Sequence, residues 1–224
     1  MESELAYAAK ELLLVVGALL PIVNPLGNAP IFLGMTSWAS TEVRQVLAWR
    51  IAVNAFFLVL ASIFFGSHIL GLFGISLPVV QVGGGLLVSA TGWRLLQAGA
   101  EKVSDHETMS WSADEVIERA FYPLTFPLTV GPGSISVAIT LGANTMRRHM
   151  PVWAFTGALL IATALVAASV YFCYRFAYKM PELLGENGMR IFLRLSAFIL
   201  LCIGVQILWN GVTGLVMSLP HVPR

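Results

Sequence analysis

Five stretches of this chain contain no charged side chain, and they determine the predicted architecture. They are residues 12–41, 51–93, 120–146, 149–174 and 195–223. A helix that crosses a bilayer needs about 20 apolar residues, so four of these stretches accommodate one span each. The stretch 51–93 accommodates two, because a turn signal rich in glycine and proline lies at 71–78. The pattern therefore predicts six spans, near 11–35, 48–70, 77–97, 120–142, 151–174 and 190–216.

The composition agrees with an all-α, polytopic membrane protein. Of 224 residues, 57% are hydrophobic and 11% are charged, whereas a soluble domain carries about 25% charged residues. The formal net charge of +1 argues against a nucleic-acid partner, since phosphate binding calls for a basic surface. The lipid bilayer is the predicted surrounding, and the oligomeric state does not follow from the sequence.

The distribution of basic residues predicts the orientation. Six spans place both termini on one side, which then holds four of the 13 Lys and Arg residues, while the opposite side holds nine. The positive-inside rule puts the nine in the cytoplasm and both termini in the periplasm or outside the cell. The acidic start Met1–Glu4 lacks the basic region of a cleaved signal peptide, so the first span is interpreted as retained.

A proline pattern occurs twice in the chain. Residues 21–30 read Pro-Ile-Val-Asn-Pro-Leu-Gly-Asn-Ala-Pro, and residues 123–132 read Pro-Leu-Thr-Phe-Pro-Leu-Thr-Val-Gly-Pro, so three prolines coincide at an offset of 102. A weaker match aligns 79–99 with 191–211 at an offset of 112. Together they predict two homologous halves of three spans. An odd number of spans inverts the second half in the membrane, as in many secondary transporters.

These repeats give a prediction for the domain organisation. We expect a single membrane domain over 1–224, with repeat one at 8–100, a cytoplasmic linker at 101–118 and repeat two at 119–217. Within the linker, residues 112–115 fit a helix-capping box.

The aligned prolines predict that helices 1 and 4 are broken near the middle of the membrane. A proline removes a backbone donor and clashes with the preceding turn, and a break persists in lipid only where protein or a wet cavity satisfies the backbone. A broken helix presents a half-helix N-terminus, which suits a carboxylate, and free carbonyls, which suit an ammonium group. A proline kink repaired by a neighbouring helix is the alternative interpretation.

Polar and small residues beside these prolines are the candidate site. The predicted substrate-binding residues are Asn24, Pro25, Gly27, Asn28, Thr125, Thr129, Gly131, Gly133 and Ser134. Asn54 and Thr156 occupy the same position at the offset of 102, so we expect them to support the site from behind.

The sequence does not suggest an enzyme or a cofactor. It contains no glycine-rich phosphate loop, paired metal-ligand motif or Ser/His/Asp set, and no charged residue lies in the middle of a predicted span. If an ion is coupled to transport, carbonyl and hydroxyl oxygens would hold Na⁺, or H⁺ would travel on water or substrate.

With the motifs at 24–30 and 123–133 in view, the chain resembles the MarC-type family, also called the small neutral amino acid transporter family. The resemblance covers nearly the whole length, including six spans, the Asn-Pro-Leu-Gly motif and the Gly-Pro-Gly motif. It implies a bacterial or archaeal inner membrane and the uptake of small neutral amino acids such as glycine and alanine.

The leading hypothesis is a secondary transporter of such amino acids. A passive facilitator or channel for a small polar solute is an alternative, because no intramembrane charge is required for it. A membrane scaffold or regulator acting through the loop 97–119 is another.

Overall fold

This computed structural model describes residues 2–36, 39–98, 120–145 and 152–218, and nearly all of these residues are helical. Within these ranges there is no β-strand, and a short 3₁₀ turn at Ala177–Lys179 precedes the last helix. The helical elements are α1 (Glu2–Val23), α2 (Pro25–Met35), α3 (Thr41–Leu72), α4 (Leu77–Ala98), α5 (Ala120–Thr129), α6 (Pro132–Thr145), α7 (Val152–Arg175) and α8 (Met180–Met217).

The predicted all-helical membrane architecture is confirmed for the described residues. Five stretches are long and apolar enough to cross a membrane, namely Ala9–Met35, Thr41–Leu72, Leu77–Gln97, Thr156–Arg175 and Asn187–Met217. A sixth is formed if Ala120–Thr129 and Pro132–Ala143, which meet at a bend of 71°, are taken as one span. These positions match the six predicted ones to within several residues.

The last helix begins earlier than the apolar pattern predicted. Met180–Met217 is assigned as one helix, but Gly185 has a positive φ of 63° and turns the chain near its start. The apolar span begins only at Asn187. Charged residues such as Glu182 and Glu186 kept the first turns of α8 out of the predicted span, which begins near residue 190.

The first span passes from α1 to α2 at Asn24, whose backbone is left-handed with φ 45° and ψ 57°. Asparagine is among the few residues besides glycine that adopt this conformation readily. Pro25 follows as the first residue of α2, where a helix needs no backbone donor. Pro21 lies inside α1 and Pro30 lies inside α2, and neither interrupts its helix. The backbone departs from helical geometry only at Asn24, between the two helices.

The fourth span is more irregular. In α5, Tyr122 and Phe126 have extended backbones, with φ of −123° and −114°. Each is followed by a proline joined through a cis peptide bond. Regular helix resumes only at Pro132, where α6 begins.

The aligned prolines therefore occupy different positions in the local backbone of the two halves. Pro25 begins a helix, whereas its counterpart Pro127 follows a cis bond within α5. Pro30 lies inside α2, whereas its counterpart Pro132 begins α6. The sequence repeat is not matched by an identical local backbone.

Helices α3 and α7 form the centre of the packing. They contact each other, α1 and α2 pack on α7, and α5 and α6 pack on α3. The largest buried side chains of this core are Leu19, Phe32, Leu47, Ile51, Leu124, Leu159 and Tyr174. Large apolar side chains such as Trp49, Phe57 and Phe65 are exposed on the outside, where a bilayer would cover them.

Helices α4 and α8 form the most extensive pair and run antiparallel. Glycines permit their close approach: a Cβ placed on Gly92 of α4 would lie 2.6 Å from the backbone nitrogen of Leu201 on α8. Likewise, a Cβ on Gly204 of α8 would collide with the backbone of Ser89 on α4. Small residues play this part in many membrane helix pairs.

Some sequence predictions fall outside the described residues. These are the linker 101–118 with its capping box, and Arg147 and Arg148, two of the four basic residues on the predicted outer side.

Candidate functional site

A cavity of about 670 Å³ lies between the irregular segments of the first and fourth spans. Its volume falls within the usual range for small-molecule sites. Apolar side chains make up most of the wall, and α4 and α8 complete it. The lining residues are Ile22, Asn24, Asn28, Ile31, Met35, Leu87, Val88, Thr91, Arg94, Leu95, Pro123, Pro127, Leu128, Thr129, Gly131, Pro132, Gly133, Ser134 and Leu200.

Asn24 caps the helix that follows it. Its Oδ1 accepts a hydrogen bond from the backbone N–H of Gly27 at 3.2 Å. A Cβ on Gly27 would collide with the Asn24 side chain, so glycine leaves the space in which this cap lies. The amide Nδ2 of Asn24 donates no hydrogen bond to a described residue and remains available at the cavity wall.

Asn28 joins the two irregular segments. Its Nδ2 donates to the carbonyl of Val23 at 2.9 Å and to the carbonyl of Leu128, in the other half of the chain, at 3.0 Å. In a continuous helix the Val23 carbonyl would accept from the N–H of Gly27, which here is bonded to Asn24. Both amide protons of Asn28 are thus engaged, and its Oδ1 is left as an acceptor at the cavity.

The irregular segment α5 is built from a doubled motif. Residues 122–125 read Tyr-Pro-Leu-Thr and residues 126–129 read Phe-Pro-Leu-Thr. In each copy the threonine hydroxyl donates to the carbonyl five residues earlier, at 2.8 Å from Thr125 to Ala120 and at 2.7 Å from Thr129 to Leu124. These side-chain hydrogen bonds stabilise a backbone that departs from regular helix geometry.

Neighbouring helices hold the same two threonines. The Asn54 side chain on α3 donates to the Thr125 hydroxyl at 3.4 Å. Because the Thr129 hydroxyl already donates to Leu124, it accepts from the Tyr174 hydroxyl at 2.9 Å. The Tyr174 ring stacks on Phe32 of α2, with ring centroids 4.5 Å apart.

The first turn of α6 borders the cavity. Gly131, Pro132, Gly133 and Ser134 all line it. A Cβ on Gly133 would collide with the Val88 side chain, so glycine lets the α6 backbone approach α4. Backbone N–H groups in the first turn of a helix have no partner within it. The Ser134 hydroxyl makes no hydrogen bond with a described residue, although Ser134 is only 3% exposed.

Comparison with known proteins decides the family. Residues 9–216 match the family described as MarC family integral membrane protein. The chain belongs to the MarC family. This confirms the resemblance seen in the Asn-Pro-Leu-Gly and Gly-Pro-Gly motifs.

Relatives in the MarC family are similar along almost their full length. The inner membrane protein MarC of Salmonella arizonae is 33% identical over 206 residues, which cover 89% of this chain and 93% of the relative. The proteins of the same name from Salmonella typhimurium and Escherichia coli O1:K1 are 32% and 31% identical over the same shares. No solved structure matches the chain significantly. The protein is thus a multi-pass inner membrane protein, as its apolar helices also indicate.

The structure brings together many of the residues predicted to bind a substrate. Six of the nine line the cavity: Asn24, Asn28, Thr129, Gly131, Gly133 and Ser134. The other three, Pro25, Gly27 and Thr125, are buried and do not line it. Of the two expected to support them, Asn54 bonds to Thr125, while Thr156 is half-buried on α7. Their part in binding remains a prediction.

Arg94 was not among the predicted site residues. It was counted only among the basic residues that set orientation, yet it lines the cavity and is the one charged residue among the described residues that do so. Its position on α4 was a usable signal. Val88, Thr91 and Leu95 share a helical face at intervals of three and four residues, and Arg94 follows Thr91 by three. Which face of α4 meets the cavity follows only from the fold.

Within the described parts of the chain, no group of three or more His, Cys, Asp or Glu side chains is placed to hold a metal ion. The polar groups at the cavity are amides, hydroxyls, helix N-terminal N–H groups and the Arg94 guanidinium. Such a set can hydrogen-bond a small polar solute at both ends.

Proposed function

We propose that this protein is a secondary transporter of small neutral amino acids, such as glycine or alanine, across the inner membrane. Its substrate site would lie where the two inverted repeats bring the broken segments of the first and fourth spans together near mid-membrane. The observation that carries the proposal is a cavity lined by Asn24 and Asn28 from one half and by 127–129 and 131–134 from the other.

The arrangement of the helices supports two inverted repeats. In two inverted repeats, α1 and α2 correspond to α5 and α6, and α3 corresponds to α7. The packing of α1 and α2 on α7 should then have a counterpart in the packing of α5 and α6 on α3, and both are observed. The α4–α8 pair supports the offset of 112 as well. At this offset Gly92 corresponds to Gly204 and Ser89 corresponds to Leu201. Gly92 contacts Leu201, and Gly204 contacts Ser89, so each contact has its symmetric counterpart. Such exchange is expected of a pseudo-two-fold axis.

The positions of the irregular residues support a site near mid-membrane. Asn24 lies well inside the candidate span Ala9–Met35, 15 residues from its start and 11 from its end. In the fourth span, the non-helical residues between 129 and 132 separate two helical parts of ten and fourteen residues. Discontinuous helices at such depths form the substrate sites of many secondary transporters.

The chemistry of the cavity supports a small zwitterion. The Asn28 Oδ1 can accept from an ammonium group, and the first turn of α6 can donate to a carboxylate. Apolar neighbours such as Leu87 and Leu128 leave little for a large polar side chain to bond with. The family resemblance favours the same substrate class, and coupling to Na⁺ or H⁺ belongs to the proposal.

Uptake of labelled alanine or glycine into proteoliposomes tests this function. Thr91 lines the cavity and its hydroxyl bonds only within its own helix, to the Leu87 carbonyl. Thr91→Trp should therefore fill the cavity and abolish uptake without unfolding the protein. Leu86→Trp is the matched control, because Leu86 lies on the same helix, is 55% exposed and does not line the cavity.

The outcomes separate the candidate functions. Accumulation above equilibrium under an imposed Na⁺ or H⁺ gradient supports secondary transport, and uptake that stops at equilibrium supports a passive facilitator instead. Wild-type vesicles that take up neither amino acid would overturn the proposal. Replacing 99–119 with a Gly/Ser linker should leave uptake intact, whereas a scaffold acting through that loop would lose its function.

A further inference from the structure

Arg94 is a charged residue at a cavity that is otherwise neutral and mostly apolar. Its guanidinium makes no hydrogen bond or ion pair with a residue that the structure describes. Arginine presents a planar fork of donors that matches a carboxylate or phosphate oxygen pair. Arg94 is exposed, so its guanidinium is accessible to an anionic group that enters the cavity.

A second group of donors faces the same cavity. The first turn of α6, a helix of fourteen residues, contributes the backbone N–H groups of Gly133 and Ser134. A helix N-terminus favours a negative charge. The Ser134 hydroxyl is a separate indication of a ligand, because Ser134 is 97% buried (3% exposed), lines the cavity and has no hydrogen-bond partner among the described residues.

The packing of α4 against α6 places these donors on one wall. Val88 touches Gly133, and the Gly84 carbonyl lies 3.5 Å from the position of a Gly133 Cβ. Arg94 follows Val88 by six residues, which is about 9 Å along a helix axis. An arginine side chain extends over most of that distance, so its guanidinium and the α6 N-terminus can approach one anion from two sides.

We propose that Arg94 and the N-terminus of α6, with the Ser134 hydroxyl, bind the carboxylate of the transported solute. This rests on the proposed function and narrows its substrate class to solutes with a free carboxylate. Amino acid amides and simple amines, which carry the same ammonium group, are then poor ligands. The Asn28 Oδ1, left without a donor, faces the ammonium end.

The test measures the ligand concentration that gives half of the maximal thermal stabilisation of the purified full-length protein. The ligands are L-alanine, L-alaninamide, which lacks the carboxylate, and propionate, which lacks the ammonium group. The variants are Arg94→Gln and Ser134→Ala. Arg50→Gln is the matched control, because Arg50 is exposed on α3, does not line the cavity and loses the same charge.

We expect alanine to stabilise the wild-type protein and alaninamide to have little effect. Hydrogen bonds to charged groups contribute about 1.5–3 kcal/mol, so Arg94→Gln should weaken alanine binding roughly 10- to 100-fold. Ser134→Ala should weaken it roughly three- to tenfold. Arg50→Gln should bind alanine as the wild type does.

Failure of this inference differs from failure of the proposed function. Alanine binding that is unchanged in Arg94→Gln, or equal binding of alaninamide, would overturn the carboxylate site and leave amino acid transport standing. Propionate binding that depends on Arg94, without alanine binding, would support the carboxylate site and refute the proposal that the solute is an amino acid. If neither ligand stabilises the protein, both proposals fall.

Discussion

At the scale of single residues, several polar side chains predicted to bind substrate are already engaged in holding the backbone. Both Nδ2 protons of Asn28 bond to carbonyls, and the hydroxyls of Thr125 and Thr129 donate to carbonyls five residues earlier. The sequence pointed to these segments because asparagine and threonine beside prolines are typical of irregular backbone. It did not indicate which of their atoms remain free, since that depends on contacts as distant as Asn28 with Leu128.

Asn24 offers a direct test of the first interruption. Asn24→Ala loses the cap on Gly27 and places a Cβ-bearing residue without local hydrogen bonding at a φ of 45°. Loss of a cap costs about 1 kcal/mol and left-handed backbone costs roughly 1–2 kcal/mol, so we expect a loss of about 2–3 kcal/mol. Asn24→Gly adopts the same φ freely and should cost distinctly less.

Thermal unfolding of the two purified variants in detergent measures this difference. The matched pair isolates the backbone conformation, because both variants lack the capping side chain. An Asn24→Gly variant that unfolds at the same temperature as Asn24→Ala, or below it, would show that residue 24 is not left-handed.

At the scale of helices, the spans could be predicted from sequence because charged residues are excluded from lipid. The charge-free runs 12–41 and 51–93 mark the first three spans. The prolines were harder to interpret. Three aligned prolines suggested similar breaks, but Pro21 and Pro30 are accommodated within helices while the chain leaves the helix at Asn24. Neighbouring helices decide which proline interrupts a span, and the sequence does not contain that information locally.

The α4–α8 pair gives a prediction at this scale. A Cβ on Gly85 would collide with the backbone nitrogen of Leu208, so Gly85→Ala must push two helices apart. Overpacking of this kind costs roughly 1–3 kcal/mol. Gly83, on the same helix, has nothing within 4 Å of its Cβ position, and Gly83→Ala should be neutral or stabilising by up to about 1 kcal/mol.

The two alanine variants of α4 differ by position alone, and their unfolding temperatures should move in opposite directions or differ clearly. Equal shifts in both would mean that α4 and α8 do not pack through Gly85. The α8 partner can be checked in the same way, since Gly204 faces Ser89.

At the scale of the whole molecule, the two halves interlock. The contacts that build the centre join α1 and α2 to α7, and α5 and α6 to α3, so each half is completed by the other. This is why the cavity has walls from both halves and why neither half is expected to form it alone. The orientation with both termini outside the cytoplasm stays a prediction from the distribution of basic residues.

The most direct test of the central claim is whether an amino acid occupies this cavity. With Cys173 and Cys202 replaced by alanine, a cysteine introduced by Thr91→Cys lies at the cavity wall, and one introduced by Ser218→Cys lies exposed at the end of α8. Their rates of labelling with a maleimide are measured with and without alanine. Saturating alanine should slow the labelling of Thr91→Cys several-fold and leave that of Ser218→Cys unchanged. If alanine does not change the labelling of Thr91→Cys in protein that transports alanine, the substrate binds outside this cavity and the proposed site is wrong.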